Sequence, residues 1–211
     1  MVRWVGTGSG GTIGHNLGAK PEFIITKGIS AGSTNWNVYH HKVGAEKTLY
    51  LDADNAADDG TQWWNDTEPT NSVFTIGSTG NMTTSGESVL GLLWTSIPGF
   101  SKFDSYNGNG GTDGAFVYTG FRPKWLMVKH STAGAGWAIN DTARDFNGQY
   151  GNDATILADT DAAEFTSSSL NVDFLSNGFK LRTSNANWNG SGNVYVYACF
   201  AEHPFKTARA Q

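Results

Sequence analysis

The chain is poor in charge. Lys, Arg, Asp and Glu make up only 16% of its 211 residues, where about a quarter is usual. Proline is scarce, with 5 residues, and 19 acidic against 14 basic side chains leave a formal net charge of −5. Long helices are not expected, because their surfaces favour Glu, Lys, Ala and Leu. Nucleic acid is not an expected partner, because no basic stripe is present.

Cysteine and long apolar runs are also nearly absent. The single Cys199 cannot form a disulfide within the chain, and it lies in the apolar run Val194–Phe200. This position predicts a small buried side chain, and the chain is not a disulfide-stapled scaffold. No apolar segment approaches the roughly 20 residues of a membrane-spanning helix, so membrane insertion is not expected.

Glycine and aromatic residues are abundant instead, with 27 Gly and 8 Trp. Glycine, Asn and Asp supply the backbone angles of tight turns. Between the turns, Phe179–Thr183 alternates apolar and polar residues, as a half-exposed strand does. Other runs are apolar on both faces and predict central strands. They are Phe23–Thr26, Val89–Trp94, Trp125–Val128 and Val194–Phe200.

The sequence contains two similar copies of one segment. Residues 6–27 align with residues 108–129 at a constant offset of 102. The matching pairs include Gly6/Gly108, Gly8/Gly110, Gly18/Gly120, Pro21/Pro123 and Lys27/Lys129, and further along Trp36/Trp137 and Phe74/Phe179. A period this long indicates two copies of a small domain and not a solenoid.

Each copy offers about six or seven short strands at roughly ten-residue spacing, which is typical of a sandwich. We predict an all-β protein made of two tandem copies of a small antiparallel β-sandwich, jelly-roll-like and tightly packed. The copies are assigned to residues 1–99 and 100–211, the second ending in a short tail at 205–211. One larger sandwich in which the copies interleave is the alternative.

One glycine run has the letters of a dinucleotide-binding fingerprint, Gly6-x-Gly8-x-x-Gly11. That motif requires a strand before it and a helix after it. The residues that follow, Thr12–His15, show no helical pattern, and the second copy lacks the third glycine. We interpret the run as a turn between strands and predict no cofactor.

The densest acidic run holds four aspartates, Asp52, Asp54, Asp58 and Asp59. A helix–loop–helix calcium loop needs glycine at its sixth position, where this run has Ala57. The aspartates are therefore weak candidates for a looser calcium site, and a solvated acidic loop is the favoured interpretation. No metal site is predicted.

No catalytic constellation stands out. The sequence has no Gly-x-Ser-x-Gly elbow, no zinc spacing among its five histidines and no distinguishable glycosidase pair of carboxylates. We therefore do not expect an enzyme.

Aromatic residues in polar loops are the better functional candidates. Trp63 and Trp64 precede Asn65, and Trp188 follows Asn187. Aromatic faces flanked by amides suit sugar rings, and aromatic side chains also anchor subunit interfaces. These five residues are the predicted ligand or interface residues. The alternative is that the tryptophans fold back over the core, since Trp is rarely left exposed.

Several longer segments resemble a repeat domain found in tailed-bacteriophage proteins. They are His15–Lys27, Asn35–His40, Gly99–Gly110, Gly120–Lys129, Phe174–Thr183, Asn189–Gly192 and Tyr195–Ala198. The resemblance covers nearly the whole chain and recurs in both copies. Members of this group look like tail-fibre, tail-tip or collar proteins, and no catalytic residues are established for them.

The resemblance implies a non-enzymatic virion protein, most simply one located at the tail. Its expected partners are further copies of itself, as in the trimers common in fibres, other virion proteins and a host-surface glycan. A capsid decoration protein, a free carbohydrate-binding lectin-like module and a glycan-cleaving depolymerase remain the alternatives.

Overall fold

The computed structural model describes residues 1–30, 32, 34–144, 154–166 and 170–204. Strands make up 42% of these residues and helices 7%, so the prediction of an all-β protein is confirmed. Each helix in these ranges is a four-residue turn, and none of them could span a bilayer. The tail predicted at 205–211 lies outside the described residues.

The chain divides into two compact units, Met1–Thr95 and Ser96–Gln211. The division falls shortly before residue 99, because Ser101 donates its backbone N–H to the Ile97 carbonyl (3.0 Å) within the second unit. Within the described ranges, every hydrogen-bonded sheet takes its strands from one unit. This is the tandem arrangement and not the interleaved one.

Unit 1 combines a large sheet with a small one. Its strands are β1 (Val2–Val5), β2 (Gly11–Gly14), β3 (Phe23–Gly28), β4 (Asn37–His40), β5 (Lys47–Tyr50), β6 (Asp58–Asp59), β7 (Val73–Ile76) and β8 (Ser88–Trp94), and its helical turns are α1 (Thr61–Trp64) and α2 (Gly80–Thr83). The large antiparallel sheet has the order β1-β8-β3-β4-β5-β6, and β2 pairs with β7 in the small sheet.

Unit 2 repeats this plan. Its strands are β9 (Ser101–Asn107), β10 (Phe116–Tyr118), β11 (Pro123–His130), β12 (Ala138–Asp141), β13 (Ala154–Leu157), β14 (Phe165–Thr166), β15 (Val172–Leu175), β16 (Gly178–Leu181) and β17 (Val194–Ala201), and its helical turn is α3 (Ala186–Asn189). The large sheet has the order β9-β17-β11-β12-β13-β14, which matches unit 1 strand for strand. The small sheet, β10-β16-β15, has one additional strand.

The four apolar runs predicted as central strands hold central positions. β3 lies between β8 and β4, and β11 lies between β17 and β12. β8 and β17 also have a neighbour on each side. β3, β11 and β17 are buried over most of their length, and β8 alternates buried and half-buried residues, in agreement with these apolar runs.

Each unit packs its small sheet against its large sheet around one phenylalanine. Phe74 on β7 is 1% exposed and meets the Trp4 ring edge-to-face at 5.8 Å. Phe179 on β16 has no exposed surface and meets Tyr197 at 5.2 Å. Burying such a side chain stabilises a fold by about 1.5–3 kcal/mol. Cys199 lies in the same core as Phe179, as predicted, and burial raises the pKa of its thiol to about 12.

A lysine occupies the equivalent position in each unit. The Lys129 side chain is fully buried, and its Nζ donates to the Ala135 carbonyl at 2.6 Å. The aligned Lys27 donates its Nζ to the Thr34 carbonyl. Both bonds hold the loop that follows a central strand, so this aligned pair of lysines has a structural role.

The aligned glycines mark a close crossing of two backbone segments. A Cβ atom at Gly6 would lie 2.2 Å from the Thr84 carbonyl oxygen. A Cβ atom at Gly108 would lie 2.3 Å from the Gly190 carbonyl oxygen. Only glycine fits where backbones approach so closely. In unit 1 the glycine run leads from β1 into β2 with no helix, in agreement with the interpretation as a turn.

Replacing Gly6 by alanine should therefore destabilise unit 1. We expect Gly6→Ala to lower its free energy of unfolding by about 1–3 kcal/mol, because backbone carbonyls cannot move aside as flexible side chains do. Gly14→Ala is the matched control, since a Cβ atom there meets no atom within 4 Å. Denaturant unfolding followed by tryptophan fluorescence measures both. Equal effects of the two substitutions would contradict the proposed crossing.

Candidate binding surface

The adjacent tryptophans predicted as ligand contacts lie inside unit 1. The α1 turn directs both rings inward, leaving Trp63 8% and Trp64 1% exposed. Trp63 packs edge-to-face on Tyr50 at 5.5 Å, and Trp64 packs on Tyr39 at 5.8 Å. Rings with so little free surface cannot stack on a sugar. The structure therefore corrects their assignment from surface contact to core.

Trp188 in unit 2 is also a core residue. It is 6% exposed and belongs to the cluster around Phe179. Its backbone carbonyl accepts the Tyr106 hydroxyl at 2.8 Å. The helical turn α2 of unit 1 has Met82 at the corresponding inward position. Trp188 therefore fills the core of its unit, and its proposed ligand role is corrected as well.

The two predicted asparagines are exposed but serve local turns. Asn65 adopts a left-handed conformation (φ 52°) at the end of α1 and donates its N–H to the Thr61 carbonyl at 3.0 Å. Asn187 donates its backbone N–H to Oδ1 of Asn185 at 2.9 Å, and Asn185 is the residue that caps α3. Each asparagine adjoins a buried indole, so neither flanks an open tryptophan face.

Asp52 has a structural partner that recurs in unit 2. Its Oδ1 accepts the backbone N–H of Trp36 at 3.0 Å. In unit 2, Asp159 accepts the backbone N–H of Trp137 at 2.7 Å. Because the same bond appears in both units, we assign Asp52 to the scaffold.

The remaining acidic candidates belong to local contacts or to an exposed loop. Asp58 accepts the Tyr50 hydroxyl at 2.7 Å, and Asp59 lies 4.0 Å from the Lys47 ammonium. Asp54 is exposed in the preceding loop. Across the described ranges, no group of three or more His, Cys, Asp or Glu side chains is arranged to hold a metal ion.

A glutamate holds the loop that follows α1. Glu68 Oε2 accepts both the Tyr39 hydroxyl (2.6 Å) and the Lys20 ammonium (2.8 Å), and its Oε1 accepts the Ala45 backbone N–H (3.0 Å). Partial burial raises the pKa of this carboxyl, but the bonds from Lys20 and Tyr39 outweigh that effect. The net pKa of Glu68 lies below its ordinary value.

Exposed aromatic side chains occur elsewhere, on β10 of unit 2. Phe116 is 47% and Tyr118 65% exposed, and they are the two exposed Phe, Tyr or Trp side chains of the described chain. Val117 between them is 7% exposed and belongs to the core. Because side chains alternate along a strand, both rings lie on the outer side of the small sheet.

Glycines lie beneath both rings. The position of a Cβ atom at Gly178 is only 3.2 Å from Cε2 of Phe116. The corresponding position at Gly120 is 3.7 Å from the Oη of Tyr118. Gly120 also has a positive φ of 87°, which favours glycine. The absence of side chains at these two positions lets the rings lie close to the backbone.

Lys180, which pairs with Phe116 across the strands, belongs to a group of four charged side chains that neutralise one another. Asp113, whose side chain is 80% exposed, accepts Lys180 at 2.9 Å and Arg182 at 2.8 Å. Arg182 also contacts Asp173 at 2.5 Å. Hydrogen bonding to Lys180, and then to Arg182, lowers the pKa of Asp113. We call this surface the aromatic face. Its residues are Phe116, Tyr118, Asp113, Asp173, Lys180 and Arg182.

A buried asparagine fixes the loop that carries Asp113. Asn189 has no exposed surface. Its Oδ1 accepts the Asn109 backbone N–H at 3.0 Å, and its Nδ2 donates to Asn109 Oδ1 at 2.8 Å and to the Gly111 carbonyl at 2.9 Å. Asn109 in turn donates to the Asp113 carbonyl at 3.0 Å. The acceptor at the edge of the aromatic face is therefore held in place by the core.

Unit 1 lacks this face. In both small sheets, the inward residue of the outer strand pairs with the core phenylalanine. On either side of that residue, unit 1 has Thr12 and Gly14 where unit 2 has Phe116 and Tyr118. The two copies thus share the core pairing of their small sheets and differ at this surface.

Sequence reasoning selected tryptophans that the structure buries and missed the exposed aromatic pair, although the sequence carries a signal for that pair. The prediction that Phe179–Thr183 is half exposed is confirmed, with Lys180 facing outward and Phe179 inward. Phe116 and Tyr118 flank Val117 with the same alternation, and β10 pairs directly with that strand. A search for aromatic residues two positions apart, one copy compared with the other, would have found them.

The fold and this surface define a duplicated all-β protein with a single exposed aromatic face in its described residues. The chain belongs to the family described as Domain of unknown function (DUF7483), whose family model matches residues 1–204. No curated protein and no solved structure matches the chain.

The Glu68 contacts predict an acid-sensitive unit 1. A carboxyl whose folded pKa is lowered contributes stability above its unfolded pKa, near 4.3, and loses it as the pH falls through the folded value. Unfolding free energy measured from pH 7 to pH 3 should therefore fall more steeply in the parent than in Glu68→Gln. Glu46→Gln, at an exposed carboxylate of the same unit, should follow the parent. Parallel curves for parent and Glu68→Gln would refute this role.

Proposed function

We propose that the chain is a non-enzymatic structural component of a tailed-phage virion, located at the tail. It forms contacts with neighbouring subunits and attaches to host-surface glycans. The observation that carries this proposal is one scaffold built twice, with an exposed aromatic face on only one copy. Duplication followed by change on one outer surface suits a binding or assembly role, because the scaffold is kept while one surface varies.

The placement of reactive side chains supports a non-enzymatic role. His130 is 3% exposed, and its Nδ1 accepts the backbone N–H groups of Thr132 and Ala133 at 3.2 and 3.0 Å. Burial, together with the neighbouring Lys129, lowers the pKa of His130. Like the buried thiol of Cys199, this imidazole is used inside the fold and not presented to a substrate.

The virion setting is supported by the resemblance of both copies to tailed-phage repeat proteins. It also agrees with a rigid scaffold that needs no disulfide, since cores here are closed by stacked sheets and short glycine turns. Such proteins commonly form symmetric homo-oligomers. A capsid decoration protein would have the shell as its partner instead, and a lectin-like module would act outside a particle.

Purified particles test the proposal. Mass spectrometry of gradient-purified phage that encodes this chain should detect it in many copies per particle, and immunogold labelling should mark the tail. Gold on the shell would favour capsid decoration. Absence of the chain from particles that remain infectious would overturn the proposal. Release of reducing ends from host polysaccharide by the purified chain would contradict the non-enzymatic assignment.

A further inference from the structure

We propose that the aromatic face binds one pyranose ring of a neutral glycan. This inference rests on the proposed attachment function and names its ligand class and its site. The juxtaposition that carries it is an exposed pair of aromatic rings beside a charge-balanced set of hydrogen-bonding side chains on one small sheet.

The rings supply the apolar part of such a site. Phe116 and Tyr118 lie two residues apart on β10, so both project from the outer side of the sheet. With glycines beneath them at 178 and 120, the rings lie close to the backbone and leave free surface toward solvent. The C–H face of a pyranose packs on aromatic surface, and hydrogen bonds at the edge fix its orientation.

The charged side chains supply the polar part. Lys180 pairs with Phe116 across the two strands, so the two residues lie on one face of the sheet, and its ammonium lies 2.9 Å from Asp113. Arg182 donates to both Asp113 and Asp173, and Asp113 is an ionised acceptor with 80% of its side chain exposed. Sugar hydroxyls both donate and accept hydrogen bonds. A site that offers both roles beside an aromatic surface therefore suits a sugar ring.

Charge balance selects a neutral sugar. The two cations of the face, Lys180 and Arg182, face the carboxylates of Asp113 and Asp173 at 2.5–2.9 Å. A uronic acid, sialic acid or sulfate would have to compete with carboxylates already in place, and its charge would be repelled by Asp113. A neutral hydroxylated ring needs no such exchange. Unit 1, with Thr12 and Gly14, offers no equivalent, so one site per chain is expected.

A glycan array compares the ligand classes directly. The full chain is applied to neutral oligosaccharides of glucose, galactose, mannose and N-acetylglucosamine, and to uronic, sialylated and sulfated oligosaccharides. We expect binding to at least one neutral class, and calorimetry with that oligosaccharide should give one site per chain. The combined variant Phe116→Ser, Tyr118→Ser should weaken binding roughly tenfold or more, because the stacking surface is removed.

Matched variants distinguish loss of ring stacking from the general effect of removing an exposed side chain on glycan binding. Val5→Ser replaces an apolar side chain of similar exposure (57%) in unit 1 and should leave binding unchanged. Tyr118→Phe keeps the ring and should retain most of the affinity. Asp113→Asn keeps the rings but replaces the ionised acceptor with a neutral amide, so it should weaken binding. Thermal unfolding of each variant should match that of the parent, since all these side chains are exposed.

Several results would overturn the inference. These are no binding to any neutral glycan, binding confined to acidic glycans, or full affinity in the Phe116→Ser, Tyr118→Ser variant. A change from oligomer to monomer in that variant by light scattering, without glycan binding by the parent, would instead identify a contact between copies. The virion proposal is decided by particle incorporation. A chain found in particles that binds no neutral glycan therefore overturns this inference alone.

Discussion

The packing of a small sheet on a large one around a single phenylalanine is the constraint on which each unit depends. Phe74 and Phe179 are almost completely buried on the inner faces of their small sheets. Because side chains alternate along a strand, fixing these residues inward also fixes which neighbours face solvent. Val117 is held inward opposite Phe179, and the residues on either side of it must face outward. The exposed surface is thus a geometric consequence of the core.

This constraint explains how two copies can share a fold and differ on an outer surface. The large sheets have the same strand order, the aligned lysines make the same type of bond, and the aligned glycines allow the same backbone crossing. Substitution at outward positions leaves these interactions intact. Thr12 and Gly14 in one unit, against Phe116 and Tyr118 in the other, therefore represent a change of surface at little cost to the fold.

Much of the fold followed from the sequence, because the features concerned are local or repeated. Glycines aligned at Gly6 and Gly108 revealed the duplication, and apolar runs such as Phe23–Thr26 identified central strands. The site did not follow, because the direction of a loop side chain depends on tertiary packing. Trp64 lies in a polar stretch of sequence, yet a single helical turn directs it into the core. Tyr118 lies in an apolar stretch, yet strand pairing directs it into solvent.

The central claim is that one copy alone has acquired a surface for a neutral sugar ring. Amide chemical shifts of the labelled chain, recorded during titration with a mixture of methyl glucoside, methyl galactoside and methyl mannoside, test it most directly. The account predicts shifts concentrated at Phe116, Tyr118 and Lys180, with Thr12 and Gly14 unaffected. Shifts of equal size in both small sheets, or none on the aromatic face, would contradict it.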